Sequence, residues 1–213
     1  MNNVFGITAA VLVFSWLSAC STPSVEEQAA EEFTAEGLHQ VRGTGFETAY
    51  VLPGANLPDY GDIQFDRFSS ADVEIARTTV TGTNRRDWQM TPERQDNLAQ
   101  AWANATTHAF RDYPRERGSG QRLLLQAELI RVSPGRSTTT SSVAVGSSMS
   151  ANREVVNVSA EFRLLDANSG QLLALVRDRQ TIGSLQWTRA AGVDMANLFN
   201  SWAALLHTRV SGR

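Results

Sequence analysis

The chain has 213 residues, a formal charge of −3 at pH 7 and 42% hydrophobic residues, which is the composition of an ordinary globular protein. All 19 basic residues are arginines, and they are spread along the chain without forming a basic stripe. This distribution argues against nucleic acid as a partner. The single cysteine excludes a disulfide within the chain and a thiolate zinc cluster.

Residues 4–19 form an almost wholly apolar segment that ends at the single cysteine. The segment is rather short for a membrane-spanning helix, which needs about 20 apolar residues, and its length is typical of a signal-peptide core. It closes with Leu17, Ser18, Ala19 and Cys20, which resembles the lipobox of bacterial lipoproteins. The resemblance implies cleavage after Ala19 and a diacylglycerol on the Cys20 thiol. An uncleaved membrane anchor is the alternative.

The residues before the apolar segment and the residue after the cysteine bear on where the protein is delivered. Met1-Asn2-Asn3 has no Lys or Arg, which departs from the usual signal-peptide pattern and weakens the orientation signal. Ser21 follows the cysteine, and in Gram-negative lipoproteins a residue other than aspartate there permits transfer to the outer membrane. The resemblance therefore implies an outer-membrane lipoprotein that faces the periplasm and carries palmitate-type acyl chains.

The mature chain begins with a polar stretch rich in Ser, Thr, Pro, Glu and Ala. Such a composition buries too little apolar surface to offset the entropy of ordering. We therefore divide the chain into a signal peptide (1–19), a lipid-anchored flexible tether (20–41) and a single periplasmic domain (42–213).

Two short strands and a helix are predicted first in this domain. Apolar residues alternate with polar ones at 63–67 and again at 73–75, which indicates strands. Thr91 and Pro92 form a typical helix start, with threonine as the N-cap and proline in the first turn. Apolar residues then recur at helical spacing until Tyr113-Pro114, where the proline ends the helix.

The second half of the domain predicts three strands and a helix. Residues 123–129 and 156–164 alternate, and Asp166-Ala167-Asn168-Ser169-Gly170 indicates a hairpin turn that leads into a strand at 172–176. An amphipathic helix follows at about 189–210. The order of elements predicts an α+β fold: a mostly antiparallel sheet with two amphipathic helices packed on one face and a polar outer face.

The segment from Ser133 to Arg153 is predicted to interrupt this sheet. Pro134-Gly135 is expected to end the preceding strand, and small polar residues follow it without any charge between Arg136 and Arg153. A loop of this length is either mobile or functional. The open alternatives are a mobile loop and a functional hairpin that docks on a partner or a membrane.

At several residues the sequence resembles a family of Gram-negative lipoproteins known as domain of unknown function 3313. They are Tyr60, Leu165-Asp166 with Ser169-Gly170, and Trp202-Ala203, within a match from about Gly37 to Leu206. Ser169 departs from the threonine that the family often has. The resemblance implies a lipoprotein anchor and a fold, and no activity. The predicted order of strands and helices is also similar to that of the periplasmic domains of curli-secretion lipoproteins and of lipoprotein activators of peptidoglycan synthases.

No catalytic pattern emerges from the titratable residues. His39, His108 and His207 show no metal-ligand spacing, and Gly-rich phosphate-binding and nucleophile-elbow motifs are absent from the sequence. Trp102 and Trp202 suggest a sugar platform, but their helical spacing favours core packing. The remaining candidates for acid–base chemistry are the alternating carboxylates Asp62, Asp66, Asp72 and Glu74, a pattern that is also typical of a solvated sheet face.

We therefore expect a non-catalytic lipoprotein that binds or supports another envelope component, either a protein or peptidoglycan. We expect no cofactor and no metal. One alternative is a subunit of an oligomeric export or pore complex, as in curli secretion. The other is a peptidoglycan-active hydrolase, because carboxylate-based glycosidases leave little trace in a single sequence.

Overall fold

The computed structural model describes residues 23–76, 89–113, 120–136, 154–183, 187 and 193–212. Within them lie eight strands, two α-helices and two short 3-10 helices (Glu31–Phe33 and Leu57–Asp59). The strands are β1 (Ser24–Ala29), β2 (His39–Arg42), β3 (Thr48–Val51), β4 (Asp62–Phe65), β5 (Glu74–Ile75), β6 (Arg122–Arg136), β7 (Glu154–Asp166) and β8 (Leu172–Gly183). The helices are α1 (Pro92–Ala109) and α2 (Val193–Ser211).

All eight strands belong to one sheet. Its order is β1-β2-β3-β8-β7-β6-β4, and β5 pairs with β6 on the same side as β4. Only β4 and β5 run parallel to their neighbour, and the other described pairs are antiparallel. The prediction of an α+β fold with a mostly antiparallel sheet is confirmed.

The N-terminal part of the sheet differs from the prediction of a tether over residues 20–41. From Ser24 onward the chain forms β1, which pairs with β2, and β2 pairs with β3. Strands β1 and β2 are short and mostly polar, and they join the sheet through β3, whose other neighbour is β8, more than a hundred residues further along the chain. Local composition does not reveal such a partner, so the strands were not predicted.

The signals for the central elements were correct. Thr91 caps α1 by accepting a hydrogen bond from the Arg94 backbone nitrogen, and Pro92 occupies the first turn. The hairpin between β7 and β8 turns at Asp166, with Gly170 at a φ of 72° that a residue with a side chain rarely adopts. The helix ends at Ala109, somewhat before the predicted stop.

Strand β6 does not end at Pro134-Gly135 as predicted. It continues to Arg136, which pairs with Glu154 at the start of β7. A Cβ at Gly135 would lie 3.0 Å from the Asn157 side chain, so the glycine allows the two strands to approach closely at this point. Residues 137–153, the rest of the segment predicted as a loop or functional hairpin, lie outside the described residues.

The core lies where the two helices meet the centre of the sheet. The Phe162 ring of β7 contacts Trp102 of α1, with ring centroids 5.5 Å apart, and Trp202 of α2, also at 5.5 Å. Phe199 contacts both tryptophans and Phe68. Aromatic rings in these edge-to-face and stacked arrangements fill the centre of the domain.

No helix among the described residues is long and apolar enough to cross a membrane.

Candidate functional site

A row of apolar side chains runs from the sheet centre toward its β1 edge. Phe162 pairs with Val176, and Val176 pairs with Ala49. Val25 of β1 pairs in turn with Val41 of β2. Helix α2 covers the inner part of this row, whereas Val25 is 53% exposed. The row therefore continues beyond the helix layer, where part of it lies open.

The uncovered part of the row forms a groove of about 330 Å³, called here the β1–β3 groove. Its floor and walls are almost entirely apolar. They include Pro23, Val25, Val41, Phe46, Ala49, Val51, Leu57, Ala174, Val176, Leu206 and Val210. Ligand sites of comparable size are commonly lined in this way, with a few polar groups at the rim.

One arginine organises the rim of the groove. The Arg209 Nε of α2 donates to the Thr44 carbonyl oxygen at 2.8 Å, and its Nη2 donates to the Gly43 carbonyl at 3.4 Å. These bonds hold the turn before β3 against the helix, so that Phe46 packs against the core. The groove is consequently built from ordered elements on both sides.

The opposite face of the sheet carries a chain of charged side chains. Arg177 of β8 donates to Glu161 at 2.7 Å and to Glu32 at 2.8 Å, and its guanidinium lies 5.4 Å from the centroid of the Phe33 ring. The Tyr50 hydroxyl donates to Glu32 at 2.5 Å. These contacts attach the connection between β1 and β2 to the sheet.

The pKa values of this group follow from its contacts. The hydrogen bond from Tyr50 and the one from Arg177 hold the pKa of Glu32 below its usual value. Burial and the hydrogen bond to Glu32 raise the pKa of Tyr50. Burial opposes the charge of Arg177, but its hydrogen bonds to Glu32 and Glu161 outweigh burial and raise its pKa. All of these groups keep their ordinary charge states at neutral pH, which is typical of a structural network.

A second polar cluster surrounds Asp166 at the hairpin. One carboxylate oxygen accepts from the backbone nitrogens of Asn168 and Ser169 at 2.9 and 2.8 Å, and from Ser169 Oγ at 3.0 Å. The other accepts from the Tyr60 hydroxyl at 3.1 Å. The bonds from Ser169, with those from Asn168 and Tyr60, hold the pKa of Asp166 below its usual value. This is an Asx-type turn in which the carboxylate serves the backbone.

The four carboxylates proposed for acid–base chemistry do not converge. Asp62 pairs with Arg122 at 2.8 Å, Asp66 accepts from Gln126 Nε2 at 3.0 Å, and Glu74 lies 3.8 Å from Arg131. Each partner lies on the neighbouring β6, and Asp72 is exposed without a described ion pair. Burial, with a smaller effect of Asp62, raises the pKa of Tyr113 to about 12. The contacts of Asp62, Asp66 and Glu74 with β6 are those of surface pairs between neighbouring strands.

The histidines and tryptophans are likewise separated. The His39 Nδ1 lies 2.8 Å from the Glu26 carbonyl, His108 is exposed on α1, and His207 packs edge-on against Phe110. Trp102 and Trp202 are each 1% exposed, which places both in the core and not at a sugar platform. In the described part of the chain, no cluster of three or more His, Cys, Asp or Glu residues could hold a metal ion.

The residues proposed for lipidation and sorting lie outside the described residues: Leu17, Ser18, Ala19, Cys20 and Ser21. The first described residue is Pro23, which lines the β1–β3 groove. The groove itself was missed because Val25 and Val41 stand alone among polar neighbours. A signal was present in Thr48-Ala49-Tyr50-Val51, whose β-branched and aromatic residues are typical of a strand.

No protein-family model matches the chain, and no curated protein matches it. Among solved structures, a PelC dodecamer from Paraburkholderia phytofirmans is similar at 13% identity, over 78% of this chain and 98% of that one, with a TM-score of 0.34. A Xanthomonas campestris protein of the family domain of unknown function 330 is similar at 11% identity, over 75% and 93%, with a TM-score of 0.35.

A candidate lipoprotein from Caulobacter crescentus is similar at 12% identity, over 68% of this chain and 88% of that one, with a TM-score of 0.29. Likeness this remote establishes no shared function.

Proposed function

We propose that the chain is an outer-membrane lipoprotein, acylated on Cys20, whose periplasmic domain binds or supports another envelope component without catalysis. The observation that carries the proposal is the position of Cys20. It ends the apolar segment at 4–19, it is the single cysteine, and it lies three residues before Pro23, where the described fold begins. A folded domain that starts directly after a lipidation motif has a short connection to the membrane.

The length of this connection limits the position of the domain. Three residues in extended conformation span at most about 11 Å. The beginning of β1 therefore lies close to the lipid headgroups once Cys20 is acylated. A domain held at this distance is suited to a partner in or next to the membrane, such as a membrane protein or the nearby cell wall.

Hydrogen bonds between the motif residues support membership in the family known as domain of unknown function 3313. Tyr60 lies more than a hundred residues before the turn that contains Asp166 and Ser169, yet its hydroxyl donates to Asp166 at 3.1 Å, and Ser169 donates to the same carboxylate at 3.0 Å. A motif whose members contact one another has a structural reason to occur together. In this proposal the motif stabilises the hairpin and takes no part in chemistry.

The anchor is tested by metabolic labelling with a palmitate analogue. Cys20→Ser removes the acceptor thiol, so we expect no labelling and an accumulation of full-length precursor. Ser21→Asp leaves the thiol in place and serves as the matched control for labelling. In a host that uses aspartate for retention, this variant should also move to the inner membrane. Labelling that persists in Cys20→Ser would disprove the anchor.

The partner is sought by crosslinking in intact cells, followed by mass spectrometry. We expect one envelope protein, or peptidoglycan fragments, to be recovered with the wild type and lost with Cys20→Ser. Incubation of the domain with purified cell wall tests the hydrolase alternative, because released muropeptides would contradict a non-catalytic role. Light scattering on the domain tests the alternative of a ring-forming export subunit.

A further inference from the structure

We propose that the β1–β3 groove holds one acyl chain of the lipid on Cys20. The proposal rests on the acylation of Cys20 proposed above and adds a binding site within the same chain. The occupant is a saturated or mono-unsaturated hydrocarbon chain, and the groove would enclose it between the β1–β3 edge of the sheet and the end of α2.

The chemistry of the groove fits a hydrocarbon chain. Its lining is almost wholly apolar, and no described carboxylate lines it. Val25 is the one large apolar side chain that is exposed among the described residues, and it lies at the outer edge of the groove. An apolar surface that is left open in this way is commonly a site of interaction with a lipid or a protein.

The size of the groove favours a lipid chain over a protein. About 330 Å³ is near the lower end of the range for small-molecule sites. An α-helix with its side chains is about 10–12 Å across. A stable protein interface buries about 800 Å² on each partner, which is more than a groove of this size offers. A thin, flexible chain of methylene groups fits such a space.

The position of the groove favours the acyl chain of this protein over lipid from elsewhere. Pro23 lines the groove, and Cys20 is at most about 11 Å from it along the chain. A ligand on so short a connection has an effective concentration in the millimolar range. A single acyl chain gives only marginal membrane binding, whereas two hold a protein firmly. A triacylated cysteine could therefore place one chain in the groove and keep two in the bilayer.

The rim of the groove is held in place before any lipid arrives. Arg209 fixes the Thr44 carbonyl at 2.8 Å, and the wall that contains Phe46 follows directly after this turn. Because Arg209 is committed to backbone carbonyls of the same chain, it anchors the wall and is not needed as a lipid ligand. A preformed site loses little conformational entropy on binding.

The test uses the full-length protein, produced in cells that are fed a palmitate analogue with a diazirine on its chain. After irradiation of isolated membranes, the protein is digested and crosslinked peptides are identified by mass spectrometry. We expect the peptide of Cys20 to be joined, through its acyl chain, to a peptide that lines the groove, around Val41, Ala49 or Leu206. The wild-type map alone decides the question, whatever happens to the variants.

Two variants sharpen the result. Val25→Asp places a charge at the mouth of the groove, at a position that is exposed, and should lower the groove crosslink about tenfold because a carboxylate disfavours an apolar chain beside it. Gln28→Asp introduces the same charge on the same strand but outside the groove, and should leave the crosslink unchanged. Equal melting temperatures for the two variants confirm that both are folded.

Each other outcome overturns the proposal in a distinguishable way. Crosslinks from the Cys20 lipid to bilayer lipids alone would show that the groove is empty. Groove peptides that carry a phospholipid but no Cys20 peptide would assign the site to bilayer lipid. Crosslinked dimers would show that the chain enters a second copy. If Cys20 carries no label at all, the proposed lipoprotein function is wrong and the groove proposal falls with it.

Discussion

Position 202 combines burial with one directed polar contact. The Trp202 ring is 1% exposed, and its Nε1 donates to Asp178 Oδ2 at 2.7 Å. Asp178 itself is buried, and it also accepts from the Glu47 backbone nitrogen at 3.1 Å and from Gln180 at 2.8 Å. Both buried polar groups are therefore satisfied: the indole Nε1 has an acceptor, and the Asp178 carboxylate has three donors.

Trp202→Ala should lower the free energy of unfolding by about 3–5 kcal/mol, because it opens a cavity in the core and removes one donor from Asp178. Asp72→Asn is the control, since Asp72 is exposed and a surface change there should remain within about ±0.5 kcal/mol. Urea unfolding of the chain produced without residues 1–20 measures both. Similar losses for the two variants would show that the assignment of buried and exposed faces is wrong.

The carboxylate of Asp166 makes the stability of the hairpin dependent on pH. Its folded pKa is held below its usual value by the hydrogen bonds from Ser169 and its neighbours, so its contribution is present above the unfolded pKa of about 4 and is lost as pH falls through the folded pKa. Asp166→Asn should lower stability at about pH 7 and reduce the further loss toward about pH 3. Chemical unfolding at both pH values tests this, and parallel curves for the two proteins would contradict it.

Two arginines of β8 differ in the burial of the carboxylates with which they pair. Arg177 bridges the buried Glu161 and Glu32, whereas Arg179 pairs with Glu47 at 2.6 Å, where both side chains are largely exposed. Arg177 is itself about one-third exposed, which weakens its ion pairs through solvent screening. The connection between β1 and β2 nevertheless depends on it for two contacts.

Arg177→Ala should lower stability by about 1–3 kcal/mol, because it leaves a buried carboxylate with one partner fewer. Arg179→Ala is a matched control two residues away and should cost about 0–1 kcal/mol. Hydrogen exchange of residues 30–38 should rise in the first variant alone. Equal exchange in both variants would show that Arg177 does not secure this connection.

Strands β6 and β7 remain paired to their ends, where Arg136 faces Glu154. Replacement of residues 137–153 by Asn-Gly should therefore leave the melting temperature nearly unchanged, because this dipeptide closes a two-residue hairpin between strands that are already in register. Thermal unfolding followed by circular dichroism measures the effect. A large decrease would mean that the replaced residues contribute to the core.

In the wild-type protein without a bound partner, trypsin should cut first at Arg136 or Arg153. The prediction rests on the sequence interpretation of Ser133 to Arg153 as a loop, because exposed loops are the usual positions of such cleavage. Resistance at both sites in the isolated protein would count against this prediction.

Elements with a local signal could be predicted, and elements with a distant partner could not. Thr91-Pro92 and Asp166–Gly170 contain the hydrogen-bonding groups that define a cap and a turn, so they were identified from the sequence. Strand β1 reads Ser-Val-Glu-Glu-Gln-Ala, and nothing in it indicates that Val25 will pair with Val41. Pro134 was misjudged because a proline near the end of a long strand costs less than one at its centre.

The candidate functional residues show the same difference between local signals and distant partners. The position of Cys20 follows from the motif alone, whereas the groove beside Pro23 depends on β3 pairing with β8 and on α2 crossing the sheet. No alternation or motif marks the groove, since its residues come from six separate parts of the chain. Tertiary pairing creates the site, and the only local signal for it is the strand-forming composition of β3.

At the scale of the molecule, the sheet is assembled by pairing of strands that are distant in the sequence. Ala49 pairs with Val176, and Asp62 pairs with Arg122. Folding that depends on such pairs is slow because the loops must close before the contacts form. We expect the domain to refold over milliseconds to seconds, and stopped-flow fluorescence of its tryptophans measures this. Refolding within microseconds would contradict a rate limited by topology.

The pairing of β3 with β8 has a consequence for the order in which this chain can fold as it is synthesised. Strands β1, β2 and β3 emerge first, but the strand on which their place in the sheet depends comes after residue 171. Until that strand is available, β3 lacks the neighbour that joins it to the rest of the sheet. In the proposed export, the order of the strands means that the sheet is completed only when β8, in about the last fifth of the chain, has arrived.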